Sequence, residues 1–164
     1  MTKLTATYKG LIIAALMIII SVILFYGFKF PANDPSQLVV MGIYIIGIFW
    51  SLFSLKPVDG NILKFKDYFS QGFKTFIIVT LLMVIYTAIF YKLNPQILEA
   101  VIKENEILVA KGGDKTPAEI KANSESLRSI FMPMTISLIT VVYLGLGALT
   151  SLVGGLILSN SQKK

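Results

Sequence analysis

Neither cysteine nor histidine occurs among the 164 residues of the chain. Without cysteine, the chain cannot form a disulfide framework or carry out thiol redox chemistry. Without either residue, it lacks the ligands of ordinary structural zinc sites and of histidine-bound haem. We therefore predict no catalytic residue, no cofactor and no metal site, and a protein that is not an enzyme.

Charged residues are also scarce, making up 15% of the chain against roughly a quarter in ordinary soluble domains. Arginine occurs once, at Arg128, and the lysines behind the net charge of +6 flank apolar runs. A nucleic-acid surface shows a dense basic stripe instead. The composition argues against nucleic acid as a partner and predicts a membrane protein surrounded by the lipid bilayer.

Four long stretches contain no charged residue, and none shows the alternation of a barrel strand. A helix needs about 20 residues to cross the hydrocarbon core. The first stretch ends in Tyr26-Gly27-Phe28 without a small-residue cleavage site, which favours a retained span over a signal peptide. The sequence predicts an all-α, polytopic transmembrane bundle of four helices in one domain, 1–164, with spans at about 10–28, 38–55, 75–91 and 134–158.

The lysines predict the orientation of the chain. Both terminal tails and the connection between spans two and three share one side of a four-span protein, and this side carries most of the excess lysine. On the other side, the long loop 93–128 together with Lys92 carries six basic and six acidic residues, which balance. Because cytoplasmic loops are enriched in lysine and arginine, we expect cytoplasmic N- and C-termini and an extracytoplasmic loop 93–128.

The connection before span three is amphipathic. Phenylalanines recur on one face at helical spacing, with lysines and Asp67 on the other, and Asp59 or Asn61 can cap the start. This pattern predicts an interfacial helix that bends at Gly72 into span three. The candidate interfacial face, Phe65, Phe69 and Phe73, either anchors the helix among lipid headgroups or binds a partner.

The loop 93–128 reads as a helical hairpin. Asn94-Pro95 starts its first helix, Gly112-Gly113 ends it, and Thr116 with Glu119 forms a capping box for the second. A hairpin this small does not form a stable separate domain. Its apolar residues, among them Val101 and Leu108, must therefore contact the membrane, the bundle or a partner.

Inside the predicted spans only hydroxyl residues offer polar chemistry, and each hydroxyl can bond back to its own helix. The absence of ionisable residues there weakens a pump or transporter assignment. In the hairpin, Glu99, Glu104 and Glu106 suggest a cation site, but interspersed lysines favour an ordinary solvated helix face.

Span four carries a small-residue face, Gly147, Ser151 and Gly155, which allows another helix to approach closely. We treat it as the candidate helix-packing face. Its partner is either another span of the same chain, with Gly42 and Gly47 as a matching surface, or a second membrane protein or second copy.

The segment from Gly60 to Phe73, the Asn94-Pro95 start and the glycine-containing last span with its terminal lysines together resemble the family called domain of unknown function 4199. The resemblance covers nearly the whole chain. It implies a four-helix protein of the inner membrane of Gram-negative bacteria, and it carries over no activity and no catalytic residue.

Three functions are compatible with these features. The first is a non-enzymatic accessory or scaffold subunit that packs with other membrane proteins. The second is a channel or transporter for an apolar or lipid-like substrate, lined by Tyr44, Tyr86 and Tyr143. The third, which the composition favours least, is an interfacial enzyme acting on lipids through Lys64, Asp67 and Glu99.

Overall fold

The computed structural model describes residues 5–29, 35–57, 62–113 and 115–161. These residues form five α-helices and no strand: α1 (Ala6–Val22), α2 (Gln37–Phe53), α3 (Phe65–Leu93), α4 (Pro95–Lys111) and α5 (Pro117–Ser161). A π-helical turn, Ile23–Gly27, extends α1. The predicted caps at Asp59 and Asn61 lie outside the described residues.

Three of the described helices are long and apolar enough to cross a membrane: α1 with its π-helical turn, α3 and α5. The apolar part of α2, Leu38–Phe53, is shorter. This all-helical architecture with long apolar helices is typical of a membrane protein.

The chain divides into two compact units, one made of residues 1–83 and 140–164 and the other of residues 84–139. In the first unit, α1, α2 and the adjoining parts of α3 and α5 contact one another. Residues of α1 at four-residue spacing, Ala6, Gly10 and Ala14, are all buried. A Cβ at Gly10 would lie 3.0 Å from the Thr75 carbonyl oxygen, so α1 packs almost backbone to backbone on α3.

The first turns of α3 differ from the prediction. The segment before span three does not form a separate interfacial helix, because α3 is one helix from Phe65 and passes through Gly72 without interruption. Gly72 is buried, and a Cβ there would collide with Ser151 of α5 and lie 3.2 Å from Leu52 Cδ2. The glycine therefore serves close packing rather than bending.

The second unit is the hairpin of α4 and the first part of α5 together with the end of α3. Pro95 occupies the first turn of α4 as predicted, but Asn94 does not cap it with its side chain. Asn94 Nδ2 instead donates to the Phe90 carbonyl, 2.8 Å away, and so closes the end of α3. Gly113 follows α4 at φ +74°, a conformation that glycine adopts without steric cost. Helix α5 continues through Pro133.

Two glycines that lie two positions apart in α5 provide a direct test of this packing. A Cβ at Gly147 would collide with the Tyr44 hydroxyl and lie 2.6 Å from Phe76 Cγ, whereas a Cβ at Gly145 meets no atom within 4 Å. Gly147→Ala should lower the free energy of unfolding by about 1–3 kcal/mol through overpacking. Gly145→Ala should leave it unchanged or raise it by up to about 1 kcal/mol. Equal shifts of the two variants in detergent unfolding curves would contradict this arrangement.

Candidate functional site

The candidate helix-packing face of α5 lies against α2 and α3 of the same chain. Gly147 faces Tyr44 and Phe76, and Ser151 faces Gly72. A Cβ at Gly155 would lie 3.2 Å from Phe65 Cε2. The small residues of α5 are thus occupied within the chain, and a partner protein has no access to them in this arrangement.

The matching surface proposed from the sequence is wrong. A Cβ at Gly47 would lie 2.8 Å from Ile13 Cγ1 of α1, so Gly47 accommodates α1 rather than α5. Next to Gly42 no atom lies within 4 Å of such a Cβ. The actual counterparts on α2 and α3 are a tyrosine, phenylalanines and Gly72, which the sequence pattern did not single out for this role.

Ser151 and Gly72 form the closest contact between α3 and α5. Ser151 is fully buried, and its Oγ has no hydrogen-bond partner among the described residues. The direction in which a Cβ would leave Gly72 points at this oxygen. In glycine a hydrogen occupies that direction, so Gly72 directs a Cα–H group toward Ser151 Oγ. Such weak contacts recur where helices approach closely.

The candidate interfacial face joins this packing region. The rings of Phe65 and Phe69 stack with centroids 5.9 Å apart, and those of Phe69 and Phe73 lie 6.2 Å apart. Phe65 reaches Gly155, whereas Phe73 is 47% exposed. The three rings therefore run from the helix contact at Phe65 outward to the surface at Phe73.

A polar cluster that the sequence did not reveal joins α1, α2 and α3. Gln71 Nε2 donates to Ser51 Oγ at 3.1 Å, Ser51 and Thr75 hydroxyls lie 2.8 Å apart, and Thr75 Oγ1 donates to the Gln71 carbonyl at 2.9 Å. Because Thr75 donates its only hydroxyl proton to the Gln71 carbonyl, Ser51 must be the donor in its bond with Thr75. The bonds form a closed ring in which each hydroxyl both donates and accepts.

Lys9 completes the cluster. Its Nζ lies 3.3 Å from the Ser51 carbonyl oxygen, and the residue is only 4% exposed. The sequence places Lys9 in the tail that flanks span one, but in the structure it shares a helix face with Ala6, Ile13 and Ala14. The spacing of these small and apolar residues was the available signal that Lys9 points inward.

Tyr44 and Tyr143, which the sequence suggested as lining residues of a substrate path, contact each other instead. Tyr44 is fully buried and donates its hydroxyl proton to the Tyr143 carbonyl at 2.7 Å. Their rings meet edge to face, with centroids 5.1 Å apart. Tyr86 belongs to the other unit, where its ring lies 5.7 Å from that of Phe90.

In the hairpin, three polar pairs connect α4 to α5. Arg128 holds both carboxylate oxygens of Glu99, Asn123 donates to Asn105 at 2.8 Å, and Ser124 donates to Glu106 at 2.7 Å. The i,i+4 spacing of Glu99 and Lys103 in the sequence predicts an ion pair within α4. That prediction is wrong, because Glu99 pairs with Arg128 of α5. No group of three or more acidic residues suited to a metal occurs among the described residues.

The hydrogen-bonded ring of Gln71, Ser51 and Thr75 predicts which hydroxyl groups stabilise the protein. Ser51→Ala leaves the Gln71 amide and the Thr75 oxygen without a partner, so it should cost about 1–3 kcal/mol of unfolding free energy. Ser54→Ala is the matched control, because Ser54 Oγ bonds back to the Trp50 carbonyl of its own helix at 2.7 Å. We expect a change below about 0.5 kcal/mol there.

A double-mutant cycle of Ser51→Ala with Thr75→Val, measured by reversible unfolding in detergent, should give a coupling of at least about 0.5 kcal/mol. Strict additivity of the two substitutions would show that the ring does not exist.

The capping box at the start of α5 predicts a pH dependence. Glu119 Oε2 accepts from the Thr116 backbone N–H at 2.7 Å, and the Glu119 N–H lies 3.4 Å from Thr116 Oγ1. The bond from the Thr116 backbone, helped by its hydroxyl, lowers the pKa of Glu119 below 4.5. The cap therefore stabilises the helix start fully at pH values above the ordinary glutamate pKa of 4.5. This stabilisation is lost as the pH falls through the lowered pKa of Glu119.

Carbon chemical shifts of residues 116–120 in micelles should accordingly lose helical character on acidification. The Glu119→Gln variant should show no such titration. A wild-type helix start that stays unchanged down to strongly acidic pH would contradict the cap.

Comparison with known proteins places the chain in a family. The family model described as "Protein of unknown function (DUF4199)" matches residues 8–160, which spans nearly all the described helices. No curated protein and no solved structure matches the chain. Since the match covers far more than half of the sequence, the chain belongs to the family of proteins of unknown function DUF4199.

Proposed function

We propose that this protein crosses the cytoplasmic membrane of a bacterium four times, with both termini in the cytoplasm, and acts as a non-enzymatic accessory or scaffold subunit that packs with other membrane proteins. Loop 93–128 is then periplasmic. The observation that carries the scaffold role is an outward-facing apolar surface on the hairpin.

The contacts of α2 support the fourth span. Its 17 residues extend about 26 Å, close to the roughly 30 Å of the hydrocarbon core. Ser51, near its end, meets Lys9 near the start of α1, and Gly47 meets Ile13. Helix α2 thus runs antiparallel to α1. It runs parallel to α5, because Tyr44 meets Gly147 and Leu52 meets Gly154.

The exposed lysines support the orientation. Where α2 ends and α3 begins, Lys56, Lys64, Lys66 and Lys74 are all exposed. The only described acid there, Asp67, accepts from the backbone N–H of Lys64 at 2.8 Å. Excess lysine is typical of the cytoplasmic side.

The outward-facing apolar surface of the hairpin consists of Val101, Ile107 and Leu108. They are 36%, 49% and 61% exposed, whereas Ile102 on the opposite side of α4 is only 4% exposed. The polar pairs and the buried Ile102 hold α4 in place, so the exposed parts of these apolar side chains are not needed to close the hairpin. Single exposed apolar residues are ordinary, but a contiguous apolar patch outside the membrane marks an interaction surface. The partner that fits them is a membrane protein with an apolar extracytoplasmic surface.

Affinity capture of the tagged full-length protein from its native membrane in mild detergent tests the role. We expect a defined partner that Leu108→Ala loses and that Leu149→Ala retains. The two leucines are 61% and 59% exposed, so the truncations match, but Leu149 belongs to the apolar part of α5.

A lone monomer or a pure homo-oligomer would overturn the scaffold role. The runner-up function, a channel or transporter for an apolar or lipid-like substrate, would then be tested by flux into proteoliposomes. The Tyr44–Tyr143 contact supports the scaffold role over that alternative, because it fills the position where a lining residue was expected.

A further inference from the structure

Lys9 is a buried ammonium group that the proposed scaffold role does not use. It is 4% exposed and lies in the first turns of α1, on the face that contacts α2 and α3. A lysine in such a place normally pairs with a carboxylate, because an unpaired buried charge is costly.

The described residues supply Lys9 with one acceptor. An ammonium group has three donors, and one of them reaches the Ser51 carbonyl at 3.3 Å, which is longer than the usual distance. No acidic residue of the described ranges forms an ion pair with it. Two of its donors thus have no acceptor in the described part of the chain.

A second donor lies beside the same serine. Gln71 Nε2 uses one of its two protons for Ser51 Oγ at 3.1 Å, and Gln71 is only half-buried. The lysine and the glutamine therefore converge on Ser51 with unused N–H groups. The other polar groups of the ring are the hydroxyls of Ser51 and Thr75. Both already donate their protons to hydrogen bonds within the ring.

The exposed side-chain charges nearby are mostly positive. Helices α1 and α3 begin at this end and α2 and α5 end at it, so the helix termini contribute partial charges of both signs. Exposed lysines lie on the same connection, and Asp67 is engaged by the Lys64 backbone. Phe73 and Ile62 are exposed beside them, at 47% and 66%. A group with several acceptor oxygens and one negative charge fits this combination, at the level where lipid headgroups lie.

We propose that Lys9 and Gln71 bind the phosphate of an anionic phospholipid at the face of the membrane where α1 and α3 begin. The phosphate supplies the acceptors that Lys9 lacks. A headgroup without its own cation, such as phosphatidylglycerol, is preferred over phosphatidylcholine, because the nearby lysines repel the choline ammonium. Free phosphate offers the same acceptor oxygens and negative charge as the lipid phosphate. Inorganic phosphate is therefore the competing ligand.

Native mass spectrometry and thermal unfolding of the full-length protein test this site. After delipidation, the protein is transferred to nanodiscs of phosphatidylcholine, with or without phosphatidylglycerol. The wild type should retain phosphatidylglycerol and unfold at a higher temperature in its presence. Lys9→Met should reduce retention roughly tenfold, as expected for losing a charge-assisted bond. Lys74→Met, an exposed lysine at the same end, should change it by less than about twofold.

Three results would overturn the proposal. The first is equal loss of retention in Lys9→Met and Lys74→Met, which would mean diffuse attraction to the surface. The second is a wild type that inorganic phosphate stabilises in detergent as much as phosphatidylglycerol does in nanodiscs. The third concerns Asp59, outside the described residues: if Asp59→Asn lowers the unfolding temperature as much as Lys9→Met and the double variant no further, Lys9 pairs with Asp59. The wild-type comparison between the two lipids stands even if Lys9→Met fails to fold.

Discussion

The close approach of α5 to α2 and α3 is the contact on which the first unit depends. Lipid chains are as apolar as leucine, so membrane helices associate through close packing and hydrogen bonds rather than through the hydrophobic effect. Gly147, Ser151 and Gly155 provide that packing, each against a different neighbour: Tyr44 and Phe76, Gly72, and Phe65. A methyl group added at Gly147 has no space, and the same is true at Gly72.

The hydrogen bonds between helices depend on this short distance between their backbones. Once helix backbones are this close, short side chains on neighbouring helices come within bonding distance, as the 2.8 Å separation of the Ser51 and Thr75 hydroxyls shows. Between closely packed helices there is no water to complete the hydrogen bonds of a buried polar group, so a closed ring that satisfies every hydroxyl is favoured over isolated bonds. Tyr44 meets the same requirement by bonding to the Tyr143 carbonyl. Both sets of hydrogen bonds hold neighbouring helices together.

Much of this architecture is predictable from the sequence, because helix caps and apolar stretches are local signals. The Thr116–Glu119 box, the stop at Gly113 and the start at Pro95 each depend on a few adjacent residues, and all three occur as predicted. The match to the family model confirms the resemblance.

What the sequence did not reveal depends on which helices become neighbours. Ser51 and Ser54 look alike in the sequence, yet one bonds across to α3 and the other to its own helix. Gly72 is tightly packed because Ser151 lies opposite it. The two residues are far apart in the sequence, so no local pattern reveals their contact. The inward position of Lys9 combines both kinds of information: its helix face follows from the spacing of Ala6, Ile13 and Ala14, but its contact with Ser51 does not.

The hairpin buries some of its apolar side chains and leaves others outside. In a soluble hairpin, apolar side chains would meet between the helices and charges would face water. Here Ile102 is buried in that way and the Glu99–Arg128 pair is exposed, but Leu108 and Ile107 also face outward. An exposed ion pair contributes little stability, so such a hairpin is a weak structure on its own. The outward apolar side chains of Ile107 and Leu108 add little to the hairpin itself, and this is the physical argument behind the binding role proposed above.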